Sequence, residues 1–508
     1  MRRAPDSFGT VLRALGSVDW RVILLFVSAL VPFWLLIDVM NDGTIYAVAL
    51  LGGILVTYIG WSYYVVEYKP RYQDLLATRA LVVVLLGYAV TIVALEWVAP
   101  SPLAFVHLGA IALIFFYYWF IALVAVYHDL IGHTTTGLPE EYPSISVLVP
   151  AYNEAGYVGR TIQALLNADY PREKFEIIVV DDGSTDGTLA EAKSFASEVV
   201  TVVSKRNGGK YSALNYGLLF AESDIIVTVD ADSIVGSDAL KRIVAPFEKR
   251  ENVGAVASNV TIWNRDSLVT RCQQLEYTIG VNIYRRMLDY FGIVLVVPGC
   301  LGAYRREALE DVFAYDPETL TEDFDLTVKV LKSGRRVIVS EARVYTEAPS
   351  TWKDLYKQRL RWYRGNYMTM FKHWDLVTDP SYGLLHRLAI PFRLVEMFFL
   401  PFASWIVLGY IVWLVAIGFA AQVLALLVFF TSIVFLIAAL GVQIEGEDWS
   451  LLIYAPLLVI GYKQFHDLLN LKCLVDVLRK QDLSWTNATR VEQGTERTNS
   501  GVHVRDQS

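Results

Sequence analysis

Three short apolar runs in this chain end in carboxylates. The run at 145–150 closes on Pro150 and passes into Tyr152, Asn153 and Glu154; 175–180 opens into Asp181, Asp182 and Gly183; and 224–229 opens into Asp230, Ala231 and Asp232. Taken singly, each pattern is ordinary. An Asp-Gly pair after a strand is a turn former, and a lone D-x-D fits a solvated strand end, although alternate strand positions do put both carboxylates on one side. Repetition changes the reading: three such ends with few cations nearby gather like charge that a divalent ion would offset. Oxygen-only ligands suit Mg2+ or Mn2+, with substrate phosphates completing the shell.

Further groups could act on an anion. Asn207-Gly208-Gly209-Lys210 stands between an apolar run and a helical pattern, but lacks the spacing of a P-loop: Ser204 and Tyr211 occupy the positions that would need Gly and Ser or Thr. It reads either as a glycine-rich turn with a solvated lysine or as a helix N-terminus where Lys210 meets a diphosphate. Pro298-Gly-Cys-Leu-Gly302 follows, and then Thr321-Glu322-Asp323, which by itself is a good helix-capping pattern. In the segment 352–374, Tyr356, Leu360, Tyr363, Tyr367 and Phe371 form one apolar stripe at helical spacing. Lys353, Lys357, Arg359 and Arg364 flank it, as expected of a helix lying on a membrane surface, while Gln358, Arg361 and Trp362 fall on the other face. A plain membrane anchor has no use for that Trp.

The elements that must hold these groups alternate. Near-continuous apolar runs at 145–150, 175–180, 199–204 and 224–229 are expected of strands covered on both faces. Helical spacing at 158–167, 188–196, 211–221 and 237–247 lies between and after them, and 253–262 and 336–344 read as further strands. The order predicts a mostly parallel α/β sheet with ligands at the carboxyl ends of its strands, where the polar motifs cluster.

Around this segment the chain is apolar. Of its 508 residues 54% are hydrophobic and only 19% charged, with 13 Trp and 29 Tyr, against about 25% charged in a typical soluble chain. Intrinsic disorder, a collagen-like rod and a simple cytosolic globule are excluded. Three cysteines cannot make a disulfide framework, and a net charge of −8 argues against nucleic acid as a partner. Runs at 22–40, 45–66, 80–98 and 103–127, then at 395–418 and 420–440, are long enough to cross a bilayer, which takes about 20 residues. The first does not read as a cleavable signal peptide. Lys and Arg concentrate before the first span and after the second, and are missing from the opposing loops at 41–44 and 99–102. The positive-inside rule then makes the N-terminus and the polar domain cytoplasmic, in a multi-pass protein of the cell membrane. The apolar stretch 451–462 is short for a span, and six spans keep the basic tail inside. The expected organisation is four spans in 1–130, a catalytic domain in 131–350, interface helices in 351–393, two spans and a short apolar segment in 394–471, and a largely disordered tail in 472–508.

Asp-Asp-Gly, D-x-D, Thr-Glu-Asp and Gln358-Arg-Leu-Arg361-Trp362, in this order, resemble the membrane-embedded family-2 glycosyltransferases that make cellulose, chitin, hyaluronan and poly-N-acetylglucosamine. The likeness covers roughly 144–374, and Q-x-x-R-W marks the processive members. It implies a GT-A-like domain inserted between transmembrane bundles, a UDP-sugar donor, Mg2+ or Mn2+, and a growing polysaccharide as acceptor. It further implies that Pro150, Tyr152, Glu154 and Asp182 border the nucleotide and Lys210 its diphosphate. Asp230 and Asp232 would hold nucleotide and metal, and Asp323 would be the general base. Gln358 and Arg361 would meet the diphosphate, and Trp362 would stack on the acceptor sugar. Thr-Glu-Asp in place of Gly-Asp-Asp leans toward an N-acetylglucosamine polymer, whereas Trp362-Tyr-Arg-Gly departs from the residues expected after that Trp. The competing expectations are transfer of one sugar to a polyprenyl-phosphate or other lipid, which has no need of Q-x-x-R-W, and a non-catalytic membrane partner, which would release no UDP.

Overall fold

The computed structural model describes residues 141–250 and 252–479, with scattered positions between 106 and 138. Three of the four N-terminal apolar runs, most of the fourth and residues 480–508 lie outside the described residues; 472–478, expected within the tail, end the helix Tyr462–Leu478.

Eight strands form one sheet: β1 (Ile145–Ala151), β2 (Phe175–Asp181), β3 (Val200–Ser204), β4 (Ile225–Thr228), β5 (Ile234–Val235), β6 (Val253–Ile262), β7 (Gly302–Arg305) and β8 (Arg336–Thr346), in the order β3-β2-β1-β4-β7-β6-β8-β5. β1 pairs in parallel with β2 and with β4, and β2 with β3. β7 and β5 are antiparallel to their neighbours, so the far half of the sheet is mixed. Strand alternation explains the double cover. Ile145, Val147 and Val149 join Ile177, Val179 and Val227 in one core, while Leu148 joins Ile178, Val180 and Ile226 in the other. α1 (Val158–Leu166) and α4 (Ala239–Lys249) close the first face, and α3 (Lys210–Leu218) packs on the second; α2 (Thr188–Lys193) lies beside α1.

β1 is flanked by β2 on one side and β4 on the other, so the chain winds outward from β1 to β3 and then crosses back to β4. That reversal opens a crevice beyond the ends of β1 and β4, the usual ligand position in such sheets. A helix beginning as α5 (Leu268–Glu276) runs through a π-helical stretch, Tyr277–Ile283, into α6 (Tyr284–Phe291) beneath β6 and β8. α7 (Glu322–Lys332) and α8 (Trp352–Lys372) complete the walls of the crevice.

Part of the stripe on α8 is covered by protein. Leu360 and Tyr367 are buried in the same core as Leu469 and Cys473 of α11 (Tyr462–Leu478) and Met397 and Leu400 of α9 (Leu385–Ala416). The Tyr363 hydroxyl pairs with His466 at 2.8 Å, and Tyr367 donates to the Met397 carbonyl at 2.8 Å. Arg364 binds Asp476 at 2.6 Å and Arg359 binds Glu276 at 2.8 Å. A stripe with cations on its flanks is equally suited to protein that offers acids and carbonyls at its rim, and here the following helices supply both.

Among the described residues α9 is the one helix long and apolar enough to cross a membrane; it starts ten residues before the expected run at 395. Pro391 and Pro401 lack the amide hydrogen that closes a helical turn, and the π-helical turns Leu385–Ala389 and Val395–Phe399 stand immediately before and between them. The run at 420–440 lies in a 26-residue helix, α10 (Ala420–Glu445). Trp449–Val459 forms a short apolar piece, after which α11 returns to the catalytic domain.

Candidate active site

At the ends of β1 and β4 a narrow cavity is lined by Pro150, Lys210, Asp230, Gly299, Tyr304, Tyr315, Glu322 and Asp323, among others. Its centre is the Lys210 ammonium, 2.6 Å from Asp230 and 3.1 Å from Glu322. Lys210 begins α3, and the loop before it is shaped by Asp182. That carboxylate, 2% exposed, accepts from the amides of Gly208 (3.1 Å) and Gly209 (2.7 Å) and from Lys205 (2.7 Å). Asp182 is thereby spent inside the protein, and its work in this structure is to fold the loop that aims Lys210. Gly299 completes the approach: a β-carbon there would run into the Lys210 ammonium.

Tyr152 is 40% exposed on the loop after β1. That loop is clamped to the one after β2: the Asn153 carboxamide oxygen accepts from the Thr185 amide (2.9 Å), and the Glu154 amide donates to Thr188 (2.7 Å). Asp230 is partly open at the mouth of the cavity, with Asp232 two residues on.

Lys210 is the cation in direct contact with these carboxylates, while Arg361 and Arg285 act on Glu322 and Asp323 from farther off. Burial and the neighbouring Asp232 raise the Asp230 pKa above its ordinary value against the pull of Lys210. Glu322 goes the other way: burial would raise it, but Lys210, its place at the helix start and Arg361 hold it lower. Asp323 is pushed up to about 6 by burial and by Glu322, with Lys210 opposing. The Asp323 carboxylate accepts a single backbone bond, from the Phe324 amide at 2.8 Å. A carboxylate titrating near neutrality is suited to receive a proton at physiological pH.

Among the described residues no group of three or more His, Cys, Asp or Glu side chains could hold a metal ion unaided. The donors present still fit Mg2+ or Mn2+ bound with a substrate: Asp230 and Asp232 supply two carboxylates whose mutual repulsion a cation would relieve, and Mg2+ sites commonly draw their other oxygens from phosphates and water.

α8 is pinned over α7 at two points. Gly365 lies so close to Thr321 that an added β-carbon would fall 2.6 Å from the Thr321 hydroxyl and 2.9 Å from its backbone nitrogen. About two turns on, Lys372 (3.0 Å) and His373 (2.9 Å) both bind Asp325. Gln358, Arg361, Trp362 and Gly365 share a helix face by their spacing, so that face meets the Thr-Glu-Asp turn, and Arg361 acts electrostatically on Glu322. Trp362 packs against the core that holds Tyr277, Cys300 and Leu301. The Thr321 side chain makes no capping bond, as the capping reading would require; its hydroxyl faces Thr369.

Several of these residues escape sequence reasoning. Tyr304, Tyr315 and Arg285 carry no local pattern; Arg285, on α6, is buried and donates to the Ser258 carbonyl at 3.3 Å. Burial lowers its pKa, with Cys300 and Asp323 near enough to oppose that. Gly299 and Gly365 are visible only as glycines.

Residues 143–365 match the family described as "Glycosyltransferase like family 2". The chain carries a family-2 glycosyltransferase domain. Relatives include a probable glycosyltransferase, YdaM, of Bacillus subtilis, 28% identical over 70% of this chain and 88% of that protein. The poly-beta-1,6-N-acetyl-D-glucosamine synthase of Staphylococcus epidermidis is 28% identical over 48% of this chain and 60% of its own length. The beta-monoglucosyldiacylglycerol synthase of a Nostoc species is 32% identical over 52% and 57%. The chain thus spans less than two thirds of the two synthases it matches. Among solved structures, the mannosyltransferase PcManGT of Pyrobaculum calidifontis, in complex with GDP-Man and Mn2+, superposes with a TM-score of 0.53 at 21% identity, over 74% of this chain and all of that one. The likeness establishes the GT-A-like fold of this glycosyltransferase.

Proposed function

We propose that this glycosyltransferase polymerises a UDP-sugar, with N-acetylglucosamine the favoured unit, into a β-linked polysaccharide and passes the chain across the membrane. The observation that carries the reading is the contact of Gly365 with Thr321, which brings the Gln358–Arg361–Trp362 face of α8 against the turn bearing Asp323.

In this reading Asp323 takes the proton of the acceptor hydroxyl. That oxygen forms the new bond to the anomeric carbon as the bond to UDP breaks on the opposite side, inverting the configuration. A positioned base contributes about 10²–10⁴-fold. Pro150, Tyr152 and Glu154 border the nucleotide, and Asp182 supports it through the loop it folds. Lys210, Gln358 and Arg361 offset charge on the leaving diphosphate. Asp230 and Asp232 would hold Mg2+ or Mn2+, which supplies further positive charge to that diphosphate; the PcManGT complex contains Mn2+. Trp362 stacks on the sugar at the end of the chain. An indole face grips a ring without reading one hydroxyl, which suits repeated addition. The apolar segments on either side, α9 and α10 among them, form the path outward, with the catalytic domain on the cytoplasmic side.

The second reading, transfer of one sugar to a lipid, is favoured by the identity with the Nostoc diacylglycerol-directed synthase. The test is to incubate membranes holding the protein with radiolabelled UDP-sugars and Mg2+ or Mn2+, then separate organic-extractable from gel-retained product. Long chains on the gel are expected. A single-sugar product entirely in the organic phase would replace polymerisation with lipid glycosylation, and no UDP release from any donor would remove both.

A further inference from the structure

The side chain of Arg359 is 1% exposed, although its place on α8 reads as a membrane-facing flank. Its guanidinium lies 4.2 Å from the centre of the Trp362 ring and 5.7 Å from that of Tyr277. One Nη donates to Glu276 at 2.8 Å and the other to the Gln358 carboxamide at 3.3 Å. Glu276 in turn accepts from the Tyr462 hydroxyl at 2.5 Å. Arg359 therefore touches two of the three side chains on the acceptor and donor face of α8, and is fixed from behind by α5 and α11.

We propose that Arg359 is a positioning residue that sets the tilt of Trp362, and through it the grip on the acceptor sugar; this rests on the reading of Trp362 as the acceptor platform. The physical case is one of geometry against cost. A buried ion pair is a weak source of stability, because desolvation consumes most of the attraction and apolar side chains of equal volume do as well. A planar guanidinium does what an apolar side chain cannot: it lies against an indole while its two terminal nitrogens are held by acceptors. Tyr277 is 6.4 Å from Trp362 between ring centres, so the guanidinium contacts two neighbouring rings. The π-helical stretch that begins at Tyr277, immediately after Glu276, departs from regular helix where these two residues meet Arg359. The sugar-binding face of Trp362 is then one whose angle is dictated by a residue that never touches sugar.

The experiment uses the full chain in membranes. Arg359→Lys keeps the charge beside Glu276 but removes the plane; Glu276→Gln keeps an acceptor while loosening the guanidinium. UDP release is measured against the concentration of a short acceptor oligosaccharide, with product length on a gel and UDP binding as the control. Arg359→Lys should raise the acceptor KM about tenfold and shorten the product, with kcat within twofold and UDP binding unchanged, and Glu276→Gln should shift both by less in the same direction. The double variant Arg359→Lys with Trp362→Ala should be no worse than Trp362→Ala alone. Wild-type acceptor KM and product length in Arg359→Lys, alongside a weakened Trp362→Ala, would overturn the positioning role and leave the platform reading standing. Unchanged behaviour of Trp362→Ala itself would overturn the platform reading. Loss of UDP binding or of the folded protein in both Arg359→Lys and Glu276→Gln would show a structural role and overturn the inference.

Discussion

Two of the charge clusters among the described residues are built differently. Around Lys210, one ammonium faces Asp230, Glu322 and Asp323, and the acids do not settle: Asp323 is driven up to about 6. Around Arg359, one guanidinium faces one carboxylate, and its donors meet Glu276 and Gln358. Burial would raise the Glu276 pKa, yet Arg359 holds it below the ordinary value. The first cluster crowds several carboxylates around one direct cation contact, an arrangement that a metal, a diphosphate and a moving proton can use. The second is balanced, and can only hold things still. Crowding is where the chemistry is expected, and balance is where the geometry is kept.

The sharpest way to break the contrast is to remove the base. Asp323→Asn should lower sugar transfer by about 10²–10⁴-fold while UDP still binds, measured by UDP release and by calorimetric titration with UDP. Retained turnover would take Asp323 out of the base role. Next comes the contact between α8 and the catalytic turn. Gly365→Val would drive side-chain atoms into Thr321, whose backbone nitrogen cannot move aside cheaply, and should cost roughly ten- to a hundredfold in transfer, since a misplacement of about 1 Å can cost 10²-fold; a wild-type rate would mean that α8 need not sit there.

A smaller effect concerns pH. Asp323 acts as a base only when ionised, and its raised pKa means that the active form is lost as pH falls through about 6. Transfer should therefore fall about tenfold for each unit below that point. Glu322→Gln removes a neighbouring negative charge and frees Lys210 to act on Asp323, so the acid limb should move to lower pH. An upward or absent shift in the pH–rate profile would contradict the assignment of cause. The smallest effect belongs to the balanced cluster. Tyr462→Phe removes one hydrogen bond to Glu276 and should lower stability by about 0.5–1.5 kcal/mol, read as a modest drop in melting temperature with kcat unchanged.

The same contrast explains what could be read from the residues in order. β1, β2 and β4 are legible because strands covered on both faces must be almost wholly apolar; β3, expected to be covered likewise, is an edge strand with Thr201 and Ser204 exposed, and its β-branched run makes it legible. β5 and β7 are not: two residues and the tetrapeptide Gly-Ala-Tyr-Arg have no pattern, and only their partners make them strands. The acidic cluster is partly legible, since its members end strands or begin helices. The use each carboxylate is put to is not, as Asp182 shows by bonding to amides more than twenty residues away. The balanced cluster was hidden altogether. Periodicity places Arg359 beside an apolar stripe, but it cannot tell a stripe that meets lipid from one that meets α9 and α11.

The account's central claim is that the acidic cluster supplies a base opposite a departing diphosphate, and one measurement reaches it directly. The first sugar added from an α-linked UDP donor is isolated from the full protein, and its anomeric configuration is determined by proton NMR. A β-linkage is the result expected of a single displacement with Asp323 as base; an α-linkage would contradict it.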